Sequence, residues 1–120
     1  MLAEVLAYAA LSAIIHVPGD APDPQAGVDL AVAGDTVLLA VGVHRGPVDM
    51  LGKAITLRGA VDGSGLPATI IDGQDLIRVL QCISSEADDT VLENLVIANG
   101  VDGVVDRGGG VYCYNSSPTF

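Results

Sequence analysis

Several groups of residues carry side chains that could do chemistry. Asp72 and Asp75 stand in Ile71-Asp72-Gly73-Gln74-Asp75-Leu76-Ile77-Arg78. Two carboxylates so close are a start on a calcium site. Calcium takes about six to eight oxygens, so the remaining donors would have to come from neighbouring turns of the chain. The alternative is structural: Asp72-Gly73 makes a turn and Arg78 pairs with it at the surface. Glu86, Asp88 and Asp89, in Ser84-Ser85-Glu86-Ala87-Asp88-Asp89, form a second acidic group and read as a solvated loop between strands. Tyr112 and Tyr114 lie two apart, on one face of a strand. If that face is outward they can stack on sugar rings; if it is inward they are core. Cys113 would take the opposite face.

The remaining polar residues favour structure over catalysis. His16 and His44 each stand alone, with His16 flanking a strand and His44 in a turn beside Arg45. Both read as structural or exposed. Asn94, Asn99 and Asn115 are expected to stack or to bond turn backbone in the interior. Val101-Asp102-Gly103-Val104-Val105-Asp106-Arg107-Gly108-Gly109-Gly110 hints at a glycine/aspartate calcium turn but lacks a nonapeptide register. Its glycines suit tight turns. Gly108 to Gly110 is not a phosphate loop, because no lysine and no helix follow. Cys82 and Cys113 have no CxxC or His/Cys cluster around them, which disfavours zinc. They could pair, but two small buried apolar side chains are the preferred reading. No residue here is assigned as catalytic, and no cofactor is expected beyond the calcium that Asp72 and Asp75 could help to hold.

Composition bounds what can position these groups. A chain of 120 residues fits one domain with a modest core. Half of it is apolar, yet its aromatic residues are three tyrosines and one phenylalanine, so Val, Ile, Leu and Ala must fill the interior. The formal net charge of −10 would repel a phosphate backbone, which disfavours nucleic acid. Cations, basic surfaces and neutral glycans stay open, and so does plain solubility. Val5 to Ile15 is too short an apolar run to span a bilayer. Leu2 to Ser12 is expected to cover one end of the core as a short helix or strand; a trimmed signal-peptide remnant is the alternative.

The chain then divides. Residues 1–35 read as an N-terminal cap. In it, Ile14-Ile15-His16-Val17 forms a strand, Pro18-Gly19-Asp20 a turn, and Asp23 caps a helix. Pro24 suits the first helical position and Gly34 the exit. Ala26, Leu30 and Ala33 fall on one stripe, and Gly27 weakens the helix by about 1 kcal/mol relative to alanine. Residues 36–120 read as short strands at 36–41, 48–50, 54–58, 68–72, 76–83, 90–98 and 110–114, with turns between them. No crossover helices separate them, which disfavours a βαβ sheet. Two-residue hairpin loops are mostly missing, which weakens an antiparallel sandwich. A solenoid of stacked parallel turns accounts for both. Thr36 to Leu39, Ala54 to Leu57 and Thr90 to Glu93 would be its corresponding segments.

These residues resemble a known family. Ile15 to Asp20, Ala33 to Val37, Gly52 to Arg58, and Ile70-Ile71-Asp72-Gly73 look like the opening of bacterial right-handed β-helix repeat proteins of the pectin-lyase-like superfamily. Thr90 to Gly100 resembles the next coil. Gly108 to Tyr112, with Asn115 to Phe120, is similar to repeats of polymorphic outer-membrane proteins. The resemblance covers residues 14 to 120. It implies an all-β fold, a right-handed parallel β-helix with a short N-terminal capping helix, truncated at its C-terminal end. Departures are Val41 and His44, where the family often has proline and tyrosine, and Gly27, where its capping helix usually has alanine.

The function implied is a non-catalytic scaffold or adhesive, carbohydrate-interacting module, extracellular or at the cell surface. Self-association through the open coil end is expected. The alternative is an N-terminal fragment of a polysaccharide lyase or glycoside hydrolase of the same fold. Family lyases hold calcium with clustered carboxylates and use an arginine base, which would give Asp72, Asp75 and Arg78 a role. Asp88-Asp89 echoes a hydrolase pair, but the companion Asn-Thr-Asp, Gly-His-Gly and Arg-Ile-Lys motifs are missing.

Overall fold

In the computed structural model, residues 12–74, 78–100 and 110–120 are described. They form mostly strands in parallel sheets, with one short helix. The strands are β1 (Ile14–Val17), β2 (Thr36–Leu39), β3 (Gly42–Arg45), β4 (Val48–Asp49) and β5 (Thr56–Arg58). They continue as β6 (Thr69–Asp72), β7 (Leu80–Cys82), β8 (Val91–Glu93), β9 (Val96–Ala98) and β10 (Val111–Cys113). The helix α1 spans Pro24–Leu30.

Three sheets take these strands in rotation. Their orders are β1-β2-β5-β8, β3-β6-β9 and β4-β7-β10, and every pairing between named strands is parallel. From β2 onward a strand therefore pairs with the strand three later, while β1 pairs with β2 across the intervening helix. The register brings apolar residues into columns. Ile15, Val37, Leu57 and Leu92 align across the first sheet and are all buried. Val48, Leu80 and Val111 align in the third, and Ile71 stands beside Ile97 in the second. Small aliphatic side chains stacked this way close a core without aromatic residues.

The helix has a different buried face from the expected one. Asp23 caps it by accepting from the Ala26 N–H at 2.8 Å, and Pro24 starts it. Its buried residues are Pro24, Gly27 and Val28, while Leu30 is 59% exposed and Ala33 is exposed. Of the expected stripe, Ala26 packs against the core, while Leu30 and Ala33 lie off the buried face. Gly27 explains the choice. A Cβ there would come within 2.7 Å of Val37 Cγ1 and 3.1 Å of Val17 Cγ2, so glycine lets the helix sit directly on β1 and β2. Lys53, the one lysine of the sequence, closes the other end. Its Nζ donates to the carbonyls of Val28, Asp29 and Ala31 at 2.8–2.9 Å. Gln25 covers the edge of β4: Oε1 accepts from the Asp49 N–H at 2.7 Å and Nε2 donates to the Asp49 carbonyl at 3.1 Å. One amide side chain thereby stands in for a missing strand.

Three further expectations are corrected. The turn expected around His44 is strand β3. The single run expected at 90–98 is two strands, β8 and β9, broken at Asn94 with φ 57°. Asn94, Asn99 and Asn115 are all exposed and all have positive φ, so they serve as left-handed corners and not as interior stacks. The Asn94 corner comes so close to the layer above that a Cβ on Gly59 would overlap the Asn94 carbonyl oxygen and lie 2.8 Å from Thr69 Cβ. Replacing Gly59 by alanine is therefore expected to destabilise the protein by about 3 kcal/mol through overpacking against backbone, measured as a lowered urea midpoint. An exposed control, Gly63→Ala, where no atom lies within 4 Å of the new Cβ, should leave the midpoint nearly unchanged.

Candidate functional site

The third sheet carries the aromatic candidates. Along β10 the register sets Val111 beside Leu80, Tyr112 beside Gln81 and Cys113 beside Cys82. Leu80 and Cys82 are buried, so Val111 and Cys113 share the core side and Tyr112 faces outward. Tyr112 continues an outer row formed by Asp49 and Gln81. Arg78 lies over the Tyr112 ring, its guanidinium carbon 3.9 Å from the ring centroid. Arg78 therefore stacks on an aromatic ring. Tyr114 follows the strand and is 58% exposed. The result is an outward platform of an aromatic ring, a stacked cation and an amide, with a second tyrosine nearby in sequence.

The acidic candidates divide differently. Asp72, at the end of β6, accepts from the Gln74 N–H at 2.7 Å and from Asn99 Nδ2 at 3.1 Å. It organises its own turn and ties it to the next layer. Asp75 lies outside the described residues, as do the glycine/aspartate run 101–109 and the N-terminal residues 1–11. Among the described residues no three His, Cys, Asp or Glu side chains group as a metal site. No helix among them is long and apolar enough to cross a membrane.

Glu86 was expected in a solvated loop, and it is buried instead, at 2% exposure. Its Oε2 accepts from the Gly52 N–H at 2.8 Å. Its Oε1 accepts from the Ser84 N–H at 2.8 Å and from the Ser116 hydroxyl at 2.9 Å. One carboxylate thus joins three segments that lie far apart in sequence. Burial pushes its pKa up. Hydrogen bonds from the backbone of Gly52, Ser84 and Glu86 itself, and from Ser116, outweigh that and hold the carboxyl below its ordinary value. Asp35 works the same way, accepting from Val32 N–H at 3.0 Å and Ala13 N–H at 2.9 Å. The Val32 and Ala13 amides lower its pKa against the opposing effect of burial. The sequence signal for both was available in principle: an acidic residue next to small turn residues at a strand end. What it lacked was the identity of the distant donors.

The cysteines are both free. Cys82 is buried, as expected for a small apolar side chain, but Cys113 is exposed. Burial, then the neighbouring Cys113 sulfur and the Glu86 carboxylate, push the Cys82 thiol up to about 12. That keeps it protonated and unreactive at neutral pH. His16 is exposed, and His44 Nε2 bonds the Ala40 carbonyl at 2.8 Å, a local backbone contact. The chain matches no protein-family model, no curated protein and no solved structure.

Both depressed carboxyls stabilise the fold above their unfolded-state pKa values, and that contribution is lost as pH falls through the folded values. Stability to urea should therefore decline once pH drops below the ordinary carboxylate range, and Glu86→Gln should flatten this acid limb. Glu86→Ala, which takes the acceptor from the Gly52 and Ser84 amides and the Ser116 hydroxyl, should cost about 2 kcal/mol at pH 7. Iodoacetamide should label Cys113 in the native protein and reach Cys82 only in denaturant, counted by mass spectrometry.

Proposed function

We propose that this chain is part of a right-handed parallel β-helix that acts outside the cell as a non-catalytic, carbohydrate-interacting scaffold. Supporting the fold reading is the rotation of the strands from β2 to β10 through three parallel sheets, each pairing with the strand three later. A chain that winds in this manner stacks one turn on the next, as solenoids do. The resemblance of residues 14 to 120 to the pectin-lyase-like superfamily supplies the handedness and the extracellular setting.

The observation that carries the function is the outer row Asp49, Gln81 and Tyr112, with Arg78 stacked on the tyrosine ring. Sugars are recognised by flat aromatic or guanidinium surfaces with hydrogen-bonding side chains beside them, because a pyranose presents an apolar C–H face and a polar rim. Tyr112 and Arg78 offer the first and Gln81 and Asp49 the second. A flat row on successive strands also suits a polymer, whose successive residues can sit on successive layers. Asp35, Asp62, Asp72 and Glu86 serve turns and layer joints, which is a scaffold's use of charge.

A panel of neutral and uronate polysaccharides tests the proposal by affinity electrophoresis. The expected result is retardation by at least one polymer, weakened about tenfold or more in Tyr112→Ala and less in Tyr114→Ala. No retardation by any polymer, or retardation unchanged in Tyr112→Ala, would refute the carbohydrate reading. A crystal structure with left-handed winding from β2 to β5 would refute the fold reading.

A further inference from the structure

The edge of the second sheet at β3 is built differently from the corresponding edges of the other two. Above β2 the first sheet has β1. Above β4 the third sheet has α1, with Gln25 bonded to both backbone groups of Asp49. Above β3 the second sheet has no named strand. In that place lies an open groove of about 620 Å³. Its walls include Pro18, Pro22 and Pro24 on one side, and Val43, Arg45 and Pro47 on the other.

The backbone along this groove has unused hydrogen-bonding capacity. The Gly42 N–H donates to the Ala68 carbonyl at 3.0 Å and the Gly46 N–H to the Asp72 carbonyl at 2.9 Å. Successive residues of a strand direct their N–H and C=O groups to alternate edges. Gly42, His44 and Gly46 thus serve β6, and the amides and carbonyls of Val43 and Arg45 point to the open edge. The span of β3 is about 13 Å at the usual rise per residue, which fits a short extended segment. The three proline rings opposite have no N–H groups and present smooth apolar walls.

The groove also holds uncommitted charge. Lys53 is spent on the helix carbonyls, Arg58 on Glu93, and Arg78 on Tyr112. Among the described residues Arg45 is the basic side chain with no hydrogen bond or ion pair. Its outer-face neighbour in register is Asp72, which is bonded to Gln74 and Asn99 and not to Arg45. Asp23, on the groove wall, is occupied as the helix cap. A carboxylate arriving beside Arg45 would complete a cross-strand pair of opposite charges. The next outer-face position along the same strand stands beside Val43, which is 64% exposed and calls for a β-branched apolar residue.

We propose that this groove takes an extended peptide segment of a partner protein as an added strand on β3, with an apolar β-branched residue beside Val43 and an acidic residue two positions away beside Arg45. Main-chain bonds to Val43 and Arg45 would supply affinity, and the alternating side chains would supply specificity. Screening over about 8 Å at physiological salt removes the charges distant from Arg45, and the nearby Asp72 and Asp23 carboxylates are committed to Asn99, Gln74 and the helix cap. This surface is separate from the Tyr112 platform, so each proposal stands or falls alone.

The test is a titration of the ¹⁵N-labelled full chain with the peptide acetyl-Thr-Val-Thr-Glu-Thr-amide, followed by NMR. A lysine-for-glutamate peptide and a uronate oligomer serve as comparisons. Expected are saturable shifts at the Val43 and Arg45 amides, and at least tenfold slower hydrogen exchange at both. The lysine peptide should bind about tenfold more weakly, and Arg45→Glu should reverse that preference. Val43→Pro, which removes an outward N–H, should abolish binding; should it fail to fold, the exposed Arg45→Glu change still decides. No shift at Val43 and Arg45 at millimolar peptide, or equal binding of both peptides, would overturn the proposal. So would binding of the uronate oligomer alone, or a wild-type dimer that Val43→Pro makes monomeric.

Discussion

The structure depends on parallel backbone ladders between segments that are distant in sequence. A parallel strand cannot find its partner through a tight turn, so β1 reaches β2 through α1, and from β2 onward the chain travels through two other sheets before it returns. Once it returns, the ladder fixes the register, and the register places every inward side chain above another. Ile15, Val37, Leu57 and Leu92 make such a column. This is why a core with so few aromatic residues closes: shape is matched layer by layer, and the matching units are aliphatic.

The same constraint explains where the buried polar residues are. Four described polar or charged side chains are buried: Asp35, Thr69, Glu86 and Thr90. Each bonds backbone that the ladders leave unserved. Thr69 Oγ1 accepts from the Ala60 N–H at 2.8 Å and lies 3.0 Å from the Ala40 carbonyl, and Thr90 Oγ1 donates to the Lys53 carbonyl at 2.7 Å. Among the described residues no buried side-chain nitrogen or oxygen lacks a partner. Buried polar groups without partners are costly, and here the corners between strands supply the partners. The acidic residues that look like candidate chemistry in the sequence are, for Asp72 and Glu86, joints of this kind.

A ladder has two edges, and the upper edge is finished unevenly. The first sheet gains β1, and the third is covered by a helix whose Gln25 imitates a strand. Gly27 and Lys53 make that helix possible, one by removing a side chain from the contact and the other by bonding its final carbonyls. The second sheet receives neither, and its β3 edge faces a proline-walled groove. Exposed edges attract strands, so this local incompleteness is the most informative irregularity of the described surface.

Much of the architecture was legible before any coordinates. Strand locations at Ile14–Val17, around Thr36–Leu39 and at Thr69–Asp72 follow from β-branched runs bounded by Gly, Pro and Asp. The helix start at Asp23-Pro24 follows from capping chemistry. For residues 36–120 the parallel arrangement is suggested by the scarcity of two-residue hairpin loops and the absence of crossover helices. Tertiary contacts decided the rest. Gly42 to Arg45 carries a glycine, a histidine and an arginine, and becomes a strand because β6 offers it a ladder. The helix turns Gly27 and Val28 inward, and not Leu30, because contact distance to Val17 and Val37 outweighs side-chain hydrophobicity. Glu86 is buried because Gly52, Ser84 and Ser116 converge on it, and no local pattern announces the donors that lie thirty or more residues away, Gly52 and Ser116. Local sequence determines which segments extend, turn or cap, since those preferences are properties of neighbouring residues. Which polar groups meet is decided by the stacking of layers, since that is a property of the whole chain.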